Sequence, residues 1–222
     1  MNGLLEAFLS LLYPENVACC ICGEEACVNE EGLCASCAAG IRRCTLPPAL
    51  RFADGFAAGL IYSEETAIAV HRLKYGNARY LAPFFISFLE LPADWSFDAI
   101  IPVPLHKRRL RKRGYNQSAL LAEALSERIG VPVCEELIRR TRNTKTQTSL
   151  NARRRSQNLR GAFAASPEAK GMRLLLIDDV RTTGATLSEC ARLARSGRSG
   201  GICVRCLRKR TFGLVMFRVT PS

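Results

Sequence analysis

The stretch LLLIDDVRTTGATL, residues 174–187, decides the fold. It belongs to a near-continuous apolar run, 172–180, that ends in Asp178 and Asp179. Such a run reads as a central parallel strand, buried on both faces, whose C-terminal end faces a site. Thr182, Thr183 and Gly184 then turn the chain into a helix expected to start near Ala185 or Thr186. A helix N-terminus presents backbone N–H groups, Gly184 permits unusual backbone angles and the threonine hydroxyls add donors, so the turn is a cradle for a phosphate. The two carboxylates beside it are acceptors suited to a vicinal diol. Together Asp178, Asp179, Thr182, Thr183, Gly184, Ala185 and Thr186 predict a receptor for a ribose 5-phosphate. Neither a lysine-bearing phosphate loop nor a G-x-G-x-x-G run is present, which weakens nucleoside-triphosphate and dinucleotide folds.

Upstream, GFAAGLIY (55–62) reads as a strand, EETAIAVHRLKY (64–75) as a helix and ARYLAPFFISFLEL (78–91) as a second helix with Pro83 in its first turn. FDAIIPVP (97–104) is a short buried strand. QSALLAEALSERIG (117–130) is a helix with apolar Leu120, Leu121, Leu125 and Ile129, closed by Gly130. VPVCEELIRR reads as extended. The polar, basic stretch TRNTKTQTSLNARRRSQNLRG (141–161) has too few apolar residues for a core element and predicts a mobile loop with a short helix in it. ATLSECARLAR is the helix after the central strand. Strands alternating with helices predict an α/β domain with a mostly parallel sheet flanked by helices.

The chain has 222 residues, 48% of them hydrophobic, enough for one α/β core and a small appended module. Its net charge of +12 is unevenly placed: −6 over residues 1–100, +11 over 101–160 and +7 over 161–222. The +11 stretch leaves two readings open, a footprint for a polyanion and a solvated basic face. The first fourteen residues, MNGLLEAFLSLLYP, contain Glu6, lack a basic start and are too short to span a bilayer. They predict a short amphipathic helix through Leu4, Leu5, Phe8, Leu9 and Leu12, a cytoplasmic location and no stable membrane insertion.

Seven of the eleven cysteines fall between Cys19 and Cys44. In a reducing compartment such crowding points to metal rather than disulfides. Cys19-x2-Cys22 and Cys34-x2-Cys37 form two knuckles whose four thiolates suit a structural Zn2+ and leave no open coordination position. Cys20 and Cys44 stand as alternatives for one ligand. The module covers residues 1–46 with the amphipathic helix; Pro47 and Pro48 follow as a linker, and the larger domain runs over 51–222. His71 lies in a predicted helix and reads as packed or solvated, whereas His106 is placed to contact a phosphate.

The apolar run, Asp-Asp and Thr-Thr-Gly of 174–184 resemble the phosphoribosyl-pyrophosphate motif of type I phosphoribosyltransferases. The stretches IPVPLHKRRLRKRGYNQSALLA (101–122) and TKTQTSLNARRRSQNLRGAF (144–163), with the cysteine pairs, narrow the resemblance to the ComF family of competence-related proteins, over about residues 10–195. The resemblance implies a type I phosphoribosyltransferase-like domain behind a zinc module, with Asp178 and Asp179 as the catalytic pair. It implies a pyrophosphate loop at Val103, Pro104, Leu105 and Lys107, and a hood over 144–160. Arg108, Arg109, Arg113, Arg153, Arg154 and Arg155 would then meet pyrophosphate or a nucleic-acid backbone. After Arg195 the pattern departs from the family, and ICVRCL (202–207) is a candidate for the closing strand.

The function this implies is binding of phosphoribosyl pyrophosphate and single-stranded DNA in DNA uptake during natural transformation, with a competence helicase and DNA-processing proteins as partners. The alternative is an active phosphoribosyltransferase of nucleotide metabolism, with Mg2+ on the pyrophosphate and an unidentified acceptor. The low aromatic content, 7%, tells against a pure stacking platform for a strand.

Overall fold

The computed structural model describes residues 18–44, 52–142, 159–181, 184–196 and 212–219, the last as backbone only. Their elements are α1 (Ala35–Gly40), β1 (Gly55–Ile61), α2 (Glu64–Tyr75), α3 (Leu81–Ser87), β2 (Ala99–Pro102), α4 (Lys107–Arg113) and α5 (Gln117–Ile129). There follow β3 (Ile138–Arg140), β4 (Phe163–Ala165), β5 (Leu174–Arg181), α6 (Ala185–Ser196) and β6 (Phe212–Val219). The expected N-terminal helix, ICVRCL, Thr182, Thr183, Arg153, Arg154, Arg155 and nearly all of the hood stretch lie outside the described residues.

The central sheet has the order β1-β6-β5-β2, and β3 pairs with β4 in a separate two-stranded ribbon. β2 and β5 run parallel, with Ile101 opposite Leu176 and Pro102 opposite Ile177. That is the parallel pair the alternation of strands and helices predicts, with α5 in the crossover. β6 is antiparallel to both β5 and β1, so the described sheet is mixed rather than mostly parallel. The strand Phe212–Val219 falls in the tail where the sequence departs from the resemblance, and 212–219 gave no expectation of a strand.

Strand periodicity sorts the core. Leu175 and Ile177 face one layer with Leu60, Leu73, Leu81, Phe85, Ile100, Leu121 and Leu125. Leu174 and Leu176 face the other with Ile101, Leu137, Ile138, Phe163, Leu187 and Cys190. Both faces of β5 are therefore covered, which is why its sequence is apolar without alternation. The first layer also contains Cys19, Ile21, Leu33 and Cys37, so the cysteine module shares the core of the larger domain.

Local chemistry sets the boundaries. Ser63 caps α2 through a reciprocal capping box with Thr66, and Glu64 and Glu65 complement the positive end of the helix. α5 begins at the Asn116 cap and ends at Gly130, whose φ of 69° is the left-handed conformation a helix stop favours. The helix expected over 78–91 is shorter, Leu81–Ser87; beyond it Phe88 and Leu89 are buried, and their backbone runs close against Gly59 of β1. Arg128 caps the freed carbonyls, donating to Ile86 O and Leu89 O at 2.6 Å each.

Candidate functional site

The described side chains gather at two places. The first is the cysteine module. The ligand atoms of Cys19, Cys22, Cys34 and Cys37 all lie within 4.8 Å of one another. A tetrahedral ion with sulfur bonds of about 2.3 Å needs sulfurs about 3.8 Å apart, so the four fit a metal such as zinc. The module's turns shape the knuckles: Gly23 adopts φ 79° while its N–H bonds to Cys19 O at 2.7 Å, and the Cys34 sulfur accepts from the Cys37 N–H at 3.5 Å. Burial works against a Cys19 thiolate. The N–H groups of Cys34, Cys22 and Ile21 and the Cys22 thiol outweigh it and bring the group down to about 6. Burial and neighbouring thiols push Cys37 up. Cys20 stands apart, its sulfur near Glu31 O at 3.9 Å, and Cys27 is exposed.

Arg72 docks this module on the larger domain. From α2 it donates to Ile21 O at 2.6 Å and Cys20 O at 3.1 Å, with Tyr80 Oη at 2.7 Å on its other nitrogen. A Cβ on Gly23 would meet this guanidinium at 3.0 Å, a tight contact, and the left-handed turn itself favours glycine there.

The second place is the C-terminal end of β5. Asp178 Oδ1 accepts from Ser118 Oγ at 3.0 Å and from the Asp179 N–H at 3.0 Å. Asp179 is buried; its Oδ1 accepts from Gln117 Nε2 at 3.1 Å, and its Oδ2 forms an ion pair with Lys74 Nζ. Burial, and then the Asp179 charge, push the Asp178 carboxyl up to about 7, against the opposing pull of Lys74 and Ser118. Gly184, at φ 71°, makes the left-handed turn into α6, and Ala185 and Thr186 open that helix half-buried.

Behind β2, Val103 is buried: its N–H bonds to Ile177 O at 2.9 Å and its carbonyl accepts from Asn116 Nδ2 at 3.1 Å. Pro104 and Leu105 are half-buried, and Lys107 and Arg108 exposed. The cations read from sequence as a loop form helix α4, stopped by Gly114 at φ 83°. His106 caps it, its Nδ1 accepting from the Arg108 N–H at 3.2 Å. Desolvation and then the surrounding arginines lower its proton affinity. Arg109 and Arg113 face a cavity with Lys74 rather than the carboxylates directly.

Sequence reasoning missed Lys74, Gln117 and Ser118, which hold the carboxylate pair. Gln117 and Ser118 fall in the stretch 101–122 that carries the family resemblance, which assigned them no role; nothing local marked Lys74. Among the described residues no helix is long and apolar enough to cross a membrane.

The arrangement defines a mixed α/β protein with a parallel strand pair that delivers two carboxylates beside a helix start, and with a four-cysteine cluster set into the same core. No protein-family model matches the chain, and no solved structure matches it. Among curated proteins it is 30% identical over 219 residues to a DNA utilization protein YhgH of Salmonella typhi, covering 85% of this chain and 95% of that protein. It is 36% identical over 145 residues to competence protein F of Haemophilus influenzae, covering 60% of this chain and 63% of that protein. It is 31% identical over 147 residues to competence protein ComFC of Bacillus subtilis, 64% and 58% of the two chains. The chain belongs to the ComF family.

Proposed function

We propose that the protein binds phosphoribosyl pyrophosphate and single-stranded DNA on a type I phosphoribosyltransferase-like domain, and acts in DNA uptake during natural transformation. The observation that carries the ligand reading is the carboxylate pair at the end of β5, directly before the Gly184 turn and α6. Asp178 is the diol acceptor of this reading, and the helix start receives the 5-phosphate. Asp179 positions, since Gln117 and Lys74 already engage its two oxygens. With both Asp179 oxygens engaged, Mg2+ would be carried on the ligand's pyrophosphate, and Asp178 would meet its water shell.

The DNA reading rests on the relatives' names, competence protein and DNA utilization protein, and on the +11 charge of residues 101–160. A structural zinc in the Cys19, Cys22, Cys34 and Cys37 cluster completes the proposal; it supplies folding energy, not chemistry. Backbone contacts by arginine make strand binding fall with salt, by about 0.7 in log K per log salt for each phosphate neutralised. Replacing Arg153, Arg154 and Arg155 by Ala should flatten that slope as well as weaken binding. Salt-insensitive binding by the parent would remove the electrostatic case.

A further inference from the structure

A cavity of about 550 Å3 opens between the end of α2, the turn after it and α4. Lys74, Tyr75, Asn77, Arg79, Arg109, Lys112, Arg113 and Tyr115 line it, five cations with no carboxylate among them. Two of the chain's five tyrosines meet there. Each carries a guanidinium on its ring: Arg113 over Tyr75 and Arg79 over Tyr115, both 4.8 Å from the centroid. Tyr115 is fixed by its hydroxyl, which donates to Leu73 O, whereas Tyr75 is 64% exposed.

A low aromatic content overall told against base stacking, but placement reverses that argument. The pocket concentrates flat π surfaces and positive charge within the volume of a nucleotide-sized ligand. Guanidinium planes and tyrosine rings accept a nucleobase face, and the flanking phosphates find the cations. A duplex base has both faces covered by its neighbours, so only an unpaired one can enter.

We propose that this pocket seats one nucleotide of a single-stranded nucleic acid, its base against the Tyr75–Arg113 stack and its flanking phosphates at Arg79, Arg109 and Lys112. The inference rests on the single-strand reading above and adds to it a place and a stacking contact. Lys74 forms the common wall with the Asp178–Asp179 site, so the strand lies beside the ribose position rather than on a remote face.

The test uses the full chain with its metal, two labelled strands of equal length, one of oligothymidine and one wholly abasic, and fluorescence anisotropy. The parent should prefer the base-bearing strand by about tenfold. Tyr75→Ala should erase most of that preference, and Tyr75→Phe should keep it. Lys112→Ala should weaken both strands alike and reduce the salt slope. Since Tyr75 and Lys112 are exposed, unchanged melting is expected for all three variants. A Tyr75→Ala protein that keeps the parental preference overturns the pocket while leaving strand binding intact. Displacement of the strand by thymidine monophosphate at equal nucleotide concentration overturns it in favour of a free nucleotide. A parent that binds neither strand overturns the single-strand reading itself, and the pocket assignment with it.

Discussion

Lys74, in the last turn of α2, forms an ion pair with Asp179, near the end of β5. The carboxylate is buried and the lysine side chain 22% exposed, so the pair ties the first helix of the larger domain to the strand that bears the candidate site. Two positions earlier on α2, Arg72 holds the carbonyls of Cys20 and Ile21. One helix thus touches both the cysteine module and the carboxylates.

Removing Lys74 leaves the buried Asp179 charge without its ion-pair partner. Lys74→Met should destabilise the protein by about 3 kcal/mol. Adding Asp179→Asn to that variant should cost less than Asp179→Asn costs in the parent. Chemical denaturation of the four proteins of this cycle measures the coupling; additive losses would mean that the pair contributes nothing beyond two separate side chains.

Asp178 gives a pH signature. Its folded carboxyl titrates near 7 because of burial and the Asp179 charge, well above the unfolded value of about 3.9. The native state therefore binds the extra proton between those values. This group's contribution to stability is fully present below about pH 4, is lost as pH rises through 7, and is flat beyond. Subtracting the stability profile of Asp178→Asn from that of the parent should isolate this fall. A difference profile flat from pH 4 to 8 would place the Asp178 titration elsewhere.

The cysteine module should not melt alone. Cys19, Ile21, Leu33 and Cys37 share a cluster with Leu73, Phe85 and Leu121, so stripping the metal exposes one face of the main core. Metal analysis should find about one zinc per chain, and chelation or Cys22→Ser should lower the melting temperature of the whole protein in one transition. A chelated protein with unchanged melting would separate metal from fold.

Much of the fold was legible because it is local. The helical patterns of 64–75 and 117–130 mark α2 and α5, and the run at 174–177 marks a strand covered on both faces. What was not legible is long-range. Phe88 and Leu89 look like helix residues until β1 is there to receive them. Phe212–Val219 becomes a strand between β1 and β5, and nothing in that divergent tail names those partners. For the site, Asp178 and Asp179 announce themselves by adjacency at a strand end. Lys74 reads as a solvated helix-end cation, because its carboxylate arrives only when α2 packs beside β5.

Gly184 tests the turn on which the proposed phosphate cradle depends. At φ 71° a side chain costs about 1–2 kcal/mol. Gly184→Ala should lose that much stability and weaken the phosphorylated ligand, whereas unaltered stability would show that the turn relaxes to accept a Cβ.

The central claim is that the carboxylate pair receives phosphoribosyl pyrophosphate, and calorimetric titration of that ligand with Mg2+ at pH 8, where Asp178 is ionised, tests it most directly. The parent should bind one equivalent per chain. Asp178→Asn, nearly the same shape without the charge, should weaken binding at least about tenfold, and Asp178→Ala with Asp179→Ala should abolish it, with thermal melting confirming that each variant is folded. Equal affinity in the parent and a folded double variant would contradict the account and put the ligand elsewhere.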